Sequence, residues 1–119
     1  DEVRARLRHT AEEAFASFDA IIAPVTPVTA FPHDHRPFQT RRLKLSDRSQ
    51  IPYSSMLNWI ALATACHLPV TTIPAGLASG LPVGAQIIGP HGSDSRTLAI
   101  AQAIDENFAG FIPPPLADA

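Results

Sequence analysis

Apolar residues open the chain at helical spacing. Val3, Leu7, Ala11, Ala14, Phe15 and Phe18 fall on one face of a 3.6-residue repeat, which predicts an amphipathic helix. No capping residue precedes the pattern, which is expected of a helix cut from a longer chain. Asp19-Ala-Ile-Ile-Ala-Pro24 is a short apolar run ending in proline and predicts a buried strand. From Pro24 to Pro52 the chain holds five prolines and many polar residues with no period. Such a stretch predicts a long Pro-rich loop, 24–52, of the kind that lids a site or covers another domain.

After Pro52 the pattern changes. Ser54 and Ser55 can cap a helix from Ser54 to His67, and His67 at its end suits the helix dipole. Met56, Leu57, Trp59, Ile60, Leu62, Ala63 and Ala65 make that helix apolar on nearly every side. A helix without a polar face is buried all round, and 119 residues hold little material to surround it. This again points to partner structure outside the segment.

Pro69-Val-Thr-Thr-Ile-Pro74 is β-branched and predicts a short strand. Ala75 to Gly80 predicts a turn, with Gly76 and Gly80 supplying backbone freedom. Leu81 to Gly89 predicts a second strand, with Pro82 tolerated near its start. Ser93 or Asp94 is placed to cap a last helix carrying Leu98, Ala101, Ile104 and Phe108 on one face. Gly110-Phe-Ile-Pro-Pro-Pro115 cannot continue that helix, so 109–119 reads as an extended tail. The order is helix, strand, long loop, helix, strand, strand, helix. It predicts one α/β unit over 1–119, a mixed β-sheet flanked by helices.

Composition narrows the function classes. With 45% hydrophobic and 17% charged residues the chain can build a core. A net charge of −2 gives no case for a nucleic-acid or anionic-membrane partner. Arg41, Arg42, Lys44 and Arg48 cluster, but Asp47 interrupts them; the reading is a solvated loop, with a phosphate or acidic-substrate site as the alternative. The single cysteine, Cys66, builds no disulfide framework and reads as an inert buried thiol. The charged start is not a signal peptide, and Met56 to Cys66 is too short to span a bilayer. A cytoplasmic protein is expected.

Candidate chemistry is sparse. Lys44 is the lone lysine, and no serine stands at a spacing that would pair with it as a nucleophile. His33 and His35 around Asp34 would point the same way on an extended segment and could bind a transition metal. No third ligand follows at motif spacing, so these read as surface-loop histidines and no metal is expected. Gly76, Gly80 and Gly84 lack the strand-GxGxxG-helix order of a dinucleotide site. Glu12-Glu13 and Asp105-Glu106 are adjacent on helices and do not face each other. No cofactor is called for.

Longer motifs say more. Leu68-Pro-Val-Thr-Thr-Ile-Pro-Ala-Gly76 followed by Ser79-Gly-Leu-Pro-Val-Gly-Ala-Gln-Ile-Ile-Gly89 resembles the C-terminal signature of the amidase-signature family, which takes in amidases and amidotransferase A subunits. Phe18 to Pro27 resembles that family's "fD.ll.P..p" strand. Asp94-Ser-Arg-Thr-Leu98 and Phe108 to Pro115 resemble its last helix and tail. The resemblance runs from about Ala14 to Pro115, in the family's order. Thr64 stands where many members have Asn, and Ser95 where a glutamate is frequent.

The resemblance implies the C-terminal part of the amidase-signature α/β fold. It also implies an enzyme that hydrolyses amides through a serine nucleophile, a second serine on a cis peptide and a lysine base. Those three residues belong to upstream parts of the family, so no catalytic residue is assigned here, and Lys44 lies in the wrong segment to be the base. Trp59 matches a tryptophan of some members near the acyl-binding funnel, so Trp59, Asn58 and Leu57 are the candidate substrate contacts. The expected partners are the N-terminal part of the amidase chain and a small amide substrate, with self-association through exposed strand edges. The alternative is a free-standing, non-catalytic binding or self-association module derived from the same fold.

Overall fold

Ser79 and Gly80 both take positive φ, +53° and +78°. Two consecutive residues of that hand make the type I′ turn whose twist matches paired strands, and they join β4 (Val70–Ala78) to β5 (Leu81–Ile88) as a hairpin. The expected turn over 75–80 is therefore corrected: β4 continues to Ala78. The ladder shifts register between Pro74 and Leu77, where Gly76 takes φ +96° and absorbs the irregularity. The other edge of β5 pairs with β1 (Ile21–Pro24), giving a three-stranded sheet in the order β1-β5-β4. The computed structural model describes residues 2–108 and 110–113; the rest of the expected tail, 109 and 114–119, lies outside the described residues.

The architecture is α/β. Every strand pair among the described residues is antiparallel, where the pattern alone suggests a mixed sheet. A two-residue turn can only reverse the chain, and β1 meets β5 rather than the parallel β4.

Register assigns the faces. Ile22, Ile87 and Thr71 form one rung, and Ala23, Gln86 and Thr72 the next, so the two rungs point to opposite sides. The face of Ile87 and Thr71 receives α3 (Asp94–Asn107), which packs on β4 and β5. Thr71 Oγ1 donates to Thr97 Oγ1 at 2.9 Å across this contact. Ser93 precedes α3 but does not cap it with its side chain: its Oγ donates back to the Pro90 carbonyl at 2.6 Å. At the start of the chain α1 (Glu2–Phe15) packs against α2 (Ala61–Cys66), and Ala11, Ala63 and Cys66 are buried.

Two expectations change here. The Ser54–His67 helix is a 3₁₀ segment (Tyr53–Leu57), a turn, and then the short α2; neither serine caps it. His67 does end α2, in the left-handed region at φ +54°, its N–H bonded to Ala63 O. The segment is not enclosed on all sides, because Leu57 and Trp59 stay exposed. The 24–52 loop is not wholly irregular: β2 (Arg42–Lys44) and β3 (Gln50–Pro52) pair as a small hairpin with Leu43 opposite Ile51. Leu43 is 2% exposed and is the local core.

The packing leaves much surface open. The accessible area is 8864 Å², against roughly 6200 Å² for a compact monomer of this mass. The Cα radius of gyration is 16.8 Å, against roughly 13.5 Å for a compact domain of this length. No helix among the described residues is long and apolar enough to cross a membrane.

Candidate functional site

The turn that carries Leu57, Asn58 and Trp59 lacks one bond of a continuous helix. In a continuous α-helix the Trp59 carbonyl would accept from the Ala63 N–H. Here it accepts from Gln86 Nε2 at 2.9 Å, and the first bond of α2 is instead Thr64 N–H to Ile60 O at 3.1 Å. Asn58 keeps right-handed dihedrals, φ −60° and ψ −44°, with its N–H on Ser55 O. The chain thus coils through the turn while its side chains project outward. Trp59 is 43% exposed and Leu57 56%.

Gln86 is the unusual residue of β5. It lies between Ala85 and Ile87 in an apolar strand and is 2% exposed. A buried carboxamide is costly unless its polar atoms find partners. Its Nε2 supplies two donors, one to Trp59 O and one to Pro24 O at 2.7 Å. One side chain therefore ties the end of β1 to the Trp59 turn, residues far apart in sequence.

On the same face, toward the hairpin tip, lies an open groove of about 700 Å³. Its walls are the end of β1 and the following Val25–Ala30, with Thr72, Pro82 and Gly84 across from them. Gly84 has no side chain, and a Cβ there would meet Thr72 Cγ2 at 3.5 Å and Val25 Cγ2 at 3.7 Å. Its missing side chain keeps the groove open at that point. The lining holds no titratable side chain, so the groove can hold an apolar group but supplies no acid or base, and none to activate the hydroxyls of Thr26, Thr29 and Thr72.

Leu57, Asn58 and Trp59 do not line this groove; they reach it through Gln86 and Pro24, and Pro24 does line it. Gln86 is a buried link between the turn and the groove that the motif alone does not single out. The signal for it is a lone amide inside an apolar strand, since such a residue must find buried partners.

The remaining candidates sit apart, on the 24–52 segment. Tyr53 packs edge-on against Phe31 and Phe38, with centroids 6.0 Å and 5.4 Å away, and the Arg41 guanidinium lies 5.5 Å from its ring. Arg36 grips Asp34 through Nε and Nη2 and holds its carboxyl down to about 2. Asp47 accepts from the Ser49 hydroxyl and N–H, which lowers its pKa as well. His33 and His35 are exposed, edge to face at 6.2 Å. No group of three His, Cys, Asp or Glu among the described residues is placed to hold a metal ion. Lys44 is exposed on β2, and no serine hydroxyl bonds to it among the described residues.

Comparison with known proteins gives a single answer. The family model described as Amidase matches residues 1–98. The A subunit of glutamyl-tRNA(Gln) amidotransferase from Salinispora tropica is 34% identical, over 97% of this chain and 21% of the relative. The protein of the same name from Salinibacter ruber is 37% identical, over 87% of this chain and 19% of the relative. The crystal structure of the corresponding A subunit from Thermotoga maritima superposes with TM-score 0.75 at 29% identity, covering 99% of this chain and 25% of that one. A crystal structure of an amidase matches in fold, with TM-score 0.71 at 24% identity over 88% of this chain and 23% of that one. The chain spans about a fifth of the length of the curated relatives it matches.

Proposed function

The chain belongs to the amidase family, and from that premise we propose that it forms the C-terminal part of an amide-hydrolysing enzyme. The whole enzyme would cleave carboxamide C–N bonds with a serine nucleophile, a second serine on a cis peptide and a lysine base, all supplied upstream of these residues. This part would contribute three sheet strands and one wall of the pocket, with Trp59, Asn58 and Leu57 as its substrate contacts. It would have no activity alone, since the groove lining carries no titratable group to transfer a proton or to activate its threonine hydroxyls. A cytoplasmic location belongs to the same reading, in keeping with a single cysteine that is buried and free.

The observation that carries this reading is the excess surface. An accessible area of 8864 Å² leaves Phe18, Ile22, Leu57, Leu77 and Leu98 in water. Apolar area on that scale is the mark of a face built to be covered, and the rest of an amidase chain would cover it. A stand-alone binding module is not favoured, because the relatives match nearly the whole chain and extend far beyond it.

The test compares the longest product of the native gene with the 119-residue chain, by intact mass and by hydrolysis of simple aryl and aliphatic amides. Activity in a longer product and none in the short one is the expected result. A native product of this length that folds cooperatively and hydrolyses nothing would overturn the proposal.

A further inference from the structure

Gln86 links the turn to the groove, and the geometry supports a role beyond holding strands together. Its two hydrogen bonds go to backbone carbonyls, not to side chains. One partner, Pro24, lines the groove; the other, Trp59, carries the exposed indole. Neither neighbouring element fixes that turn by ladder bonds: β5 pairs with β1 and β4, and α2 begins only at Ala61. The carboxamide is the tether seen between the turn and the sheet. Its bond to the Trp59 carbonyl anchors residues 58–60, which lie as a turn with the indole outward.

We propose that Gln86 is a positioning residue, whose carboxamide sets the place of the Trp59 turn against β1 and so the width of the pocket wall beside the groove. This rests on the reading of Trp59 as part of a substrate wall. Gln86 touches no substrate in this account; it acts through Trp59. An isosteric side chain without donors, as in Gln86→Met, keeps the volume in β5 and frees both carbonyls. The turn is then no longer held to the sheet, and the indole moves.

The test uses the full-length enzyme that contains these residues, with two amides of the same leaving group, one with an acetyl and one with a bulky apolar acyl group. Q86M is expected to raise KM for the bulky amide about tenfold, the size of effect that apolar pocket contacts carry, with kcat and the acetyl amide little changed. A merely structural role would lower both substrates together. W59A should show the same selectivity, and the double variant should be no worse than either single one.

The outcomes separate the two ideas. If W59A leaves both amides unchanged, the wall reading fails. If W59A is selective and a folded Q86M is not, the wall stands and the positioning role is overturned. A readout free of activity is the emission of Trp59, the one tryptophan of these 119 residues, in the full-length enzyme with any other tryptophan replaced by phenylalanine. Its maximum and its acrylamide quenching should shift in Q86M, and an unchanged spectrum in the folded variant overturns the tether. If both Q86M and the shorter-armed Q86N fail to fold, Gln86 is a fold residue and the proposal is overturned.

Discussion

Thr71 Oγ1 donates to Thr97 Oγ1, and Thr97 Oγ1 donates in turn to Asp94 O at 2.9 Å. The relay joins β4 to the first turn of α3, and Thr97 is 1% exposed. Val at 97 would keep the shape and leave the Thr71 hydroxyl facing a methyl group. Thr71 is half-buried, so leaving its donor without a partner costs about 1 kcal/mol, the low end of the range for a buried group. T97V should lower the unfolding free energy in urea by that amount with an unchanged slope. T71V with T97V together should cost less than the sum of the single changes.

Close approach of the same helix sets a second expectation. A Cβ at Gly89 would sit 2.6 Å from Ser93 Oγ and 2.6 Å from Thr97 Cγ2. Neither atom can retreat freely: Ser93 Oγ is held by Pro90 O and Thr97 belongs to the relay. G89A should therefore destabilise by about 1–3 kcal/mol through overpacking, read from urea unfolding. The control is G92A. Gly92 has open space around it but φ +72°, so its loss reports backbone strain alone, about 1 kcal/mol.

At the hairpin tip the chemistry is not optimal. Ser79 holds φ +53° in a turn position that prefers Asn. S79N should raise stability by about 0.5 kcal/mol, since Asn tolerates the left-handed region better than Ser. Thermal melts of S79N and S79A should move in opposite directions.

Asp34 offers a pH test. The Arg36 guanidinium and backbone N–H hold its carboxyl at about 2, below the ordinary 3.8. The folded pKa is depressed, so the contribution of this pair is complete above about pH 4 and fades as pH falls through about 2. The pair is on the surface, so the stability it adds is small. The direct measurement is a carboxyl NMR titration: Asp34 should titrate near 2 in the native chain and return toward 3.8 in R36A.

Legibility from sequence follows how local each cause is. β5 and the last helix are readable because alternation and spacing are encoded within each segment, and the hairpin partners are adjacent. The pattern ends β4 at Pro74 because Gly76 and Gly80 both read as turn residues. Only the pairing of Leu77 and Ala78 with β5 shows that Gly76 marks an irregularity inside a strand. The small β2–β3 hairpin is hidden because each strand is three residues long, too short to show a period. The Ser54–His67 helix fails for a tertiary reason. Its apolar pattern is sound, but the helical bond at the Trp59 carbonyl is not made, and that carbonyl instead receives Gln86 from the other side of the fold. The candidate contacts Trp59, Asn58 and Leu57 come from resemblance, and nothing in their own segment reveals the groove. That groove depends on β1 and β5 meeting, which no local pattern encodes.

The groove itself gives the last prediction. Gly84 sits in the centre of β5 with no Cβ, and the nearest side-chain atoms above it are 3.5 Å and 3.7 Å from where a Cβ would stand. Its backbone is not in the left-handed region, so a β-branched residue suits the strand. The nearest backbone atom, Ile73 O at 3.3 Å, need give only slightly. G84V should therefore fold, with a stability change small beside that of G89A. Its two methyl groups would stand in the groove between Thr72 and Val25. If the groove receives the acyl group of an amide, the full-length G84V enzyme should lose about 10- to 200-fold in kcat/KM for bulky apolar amides, the range that one or two methylenes command. Acetyl amides should be cleaved at the native rate. Equal losses for both would mean that the valine disturbs the sheet, and no loss for either would mean that the groove is covered by protein rather than by substrate.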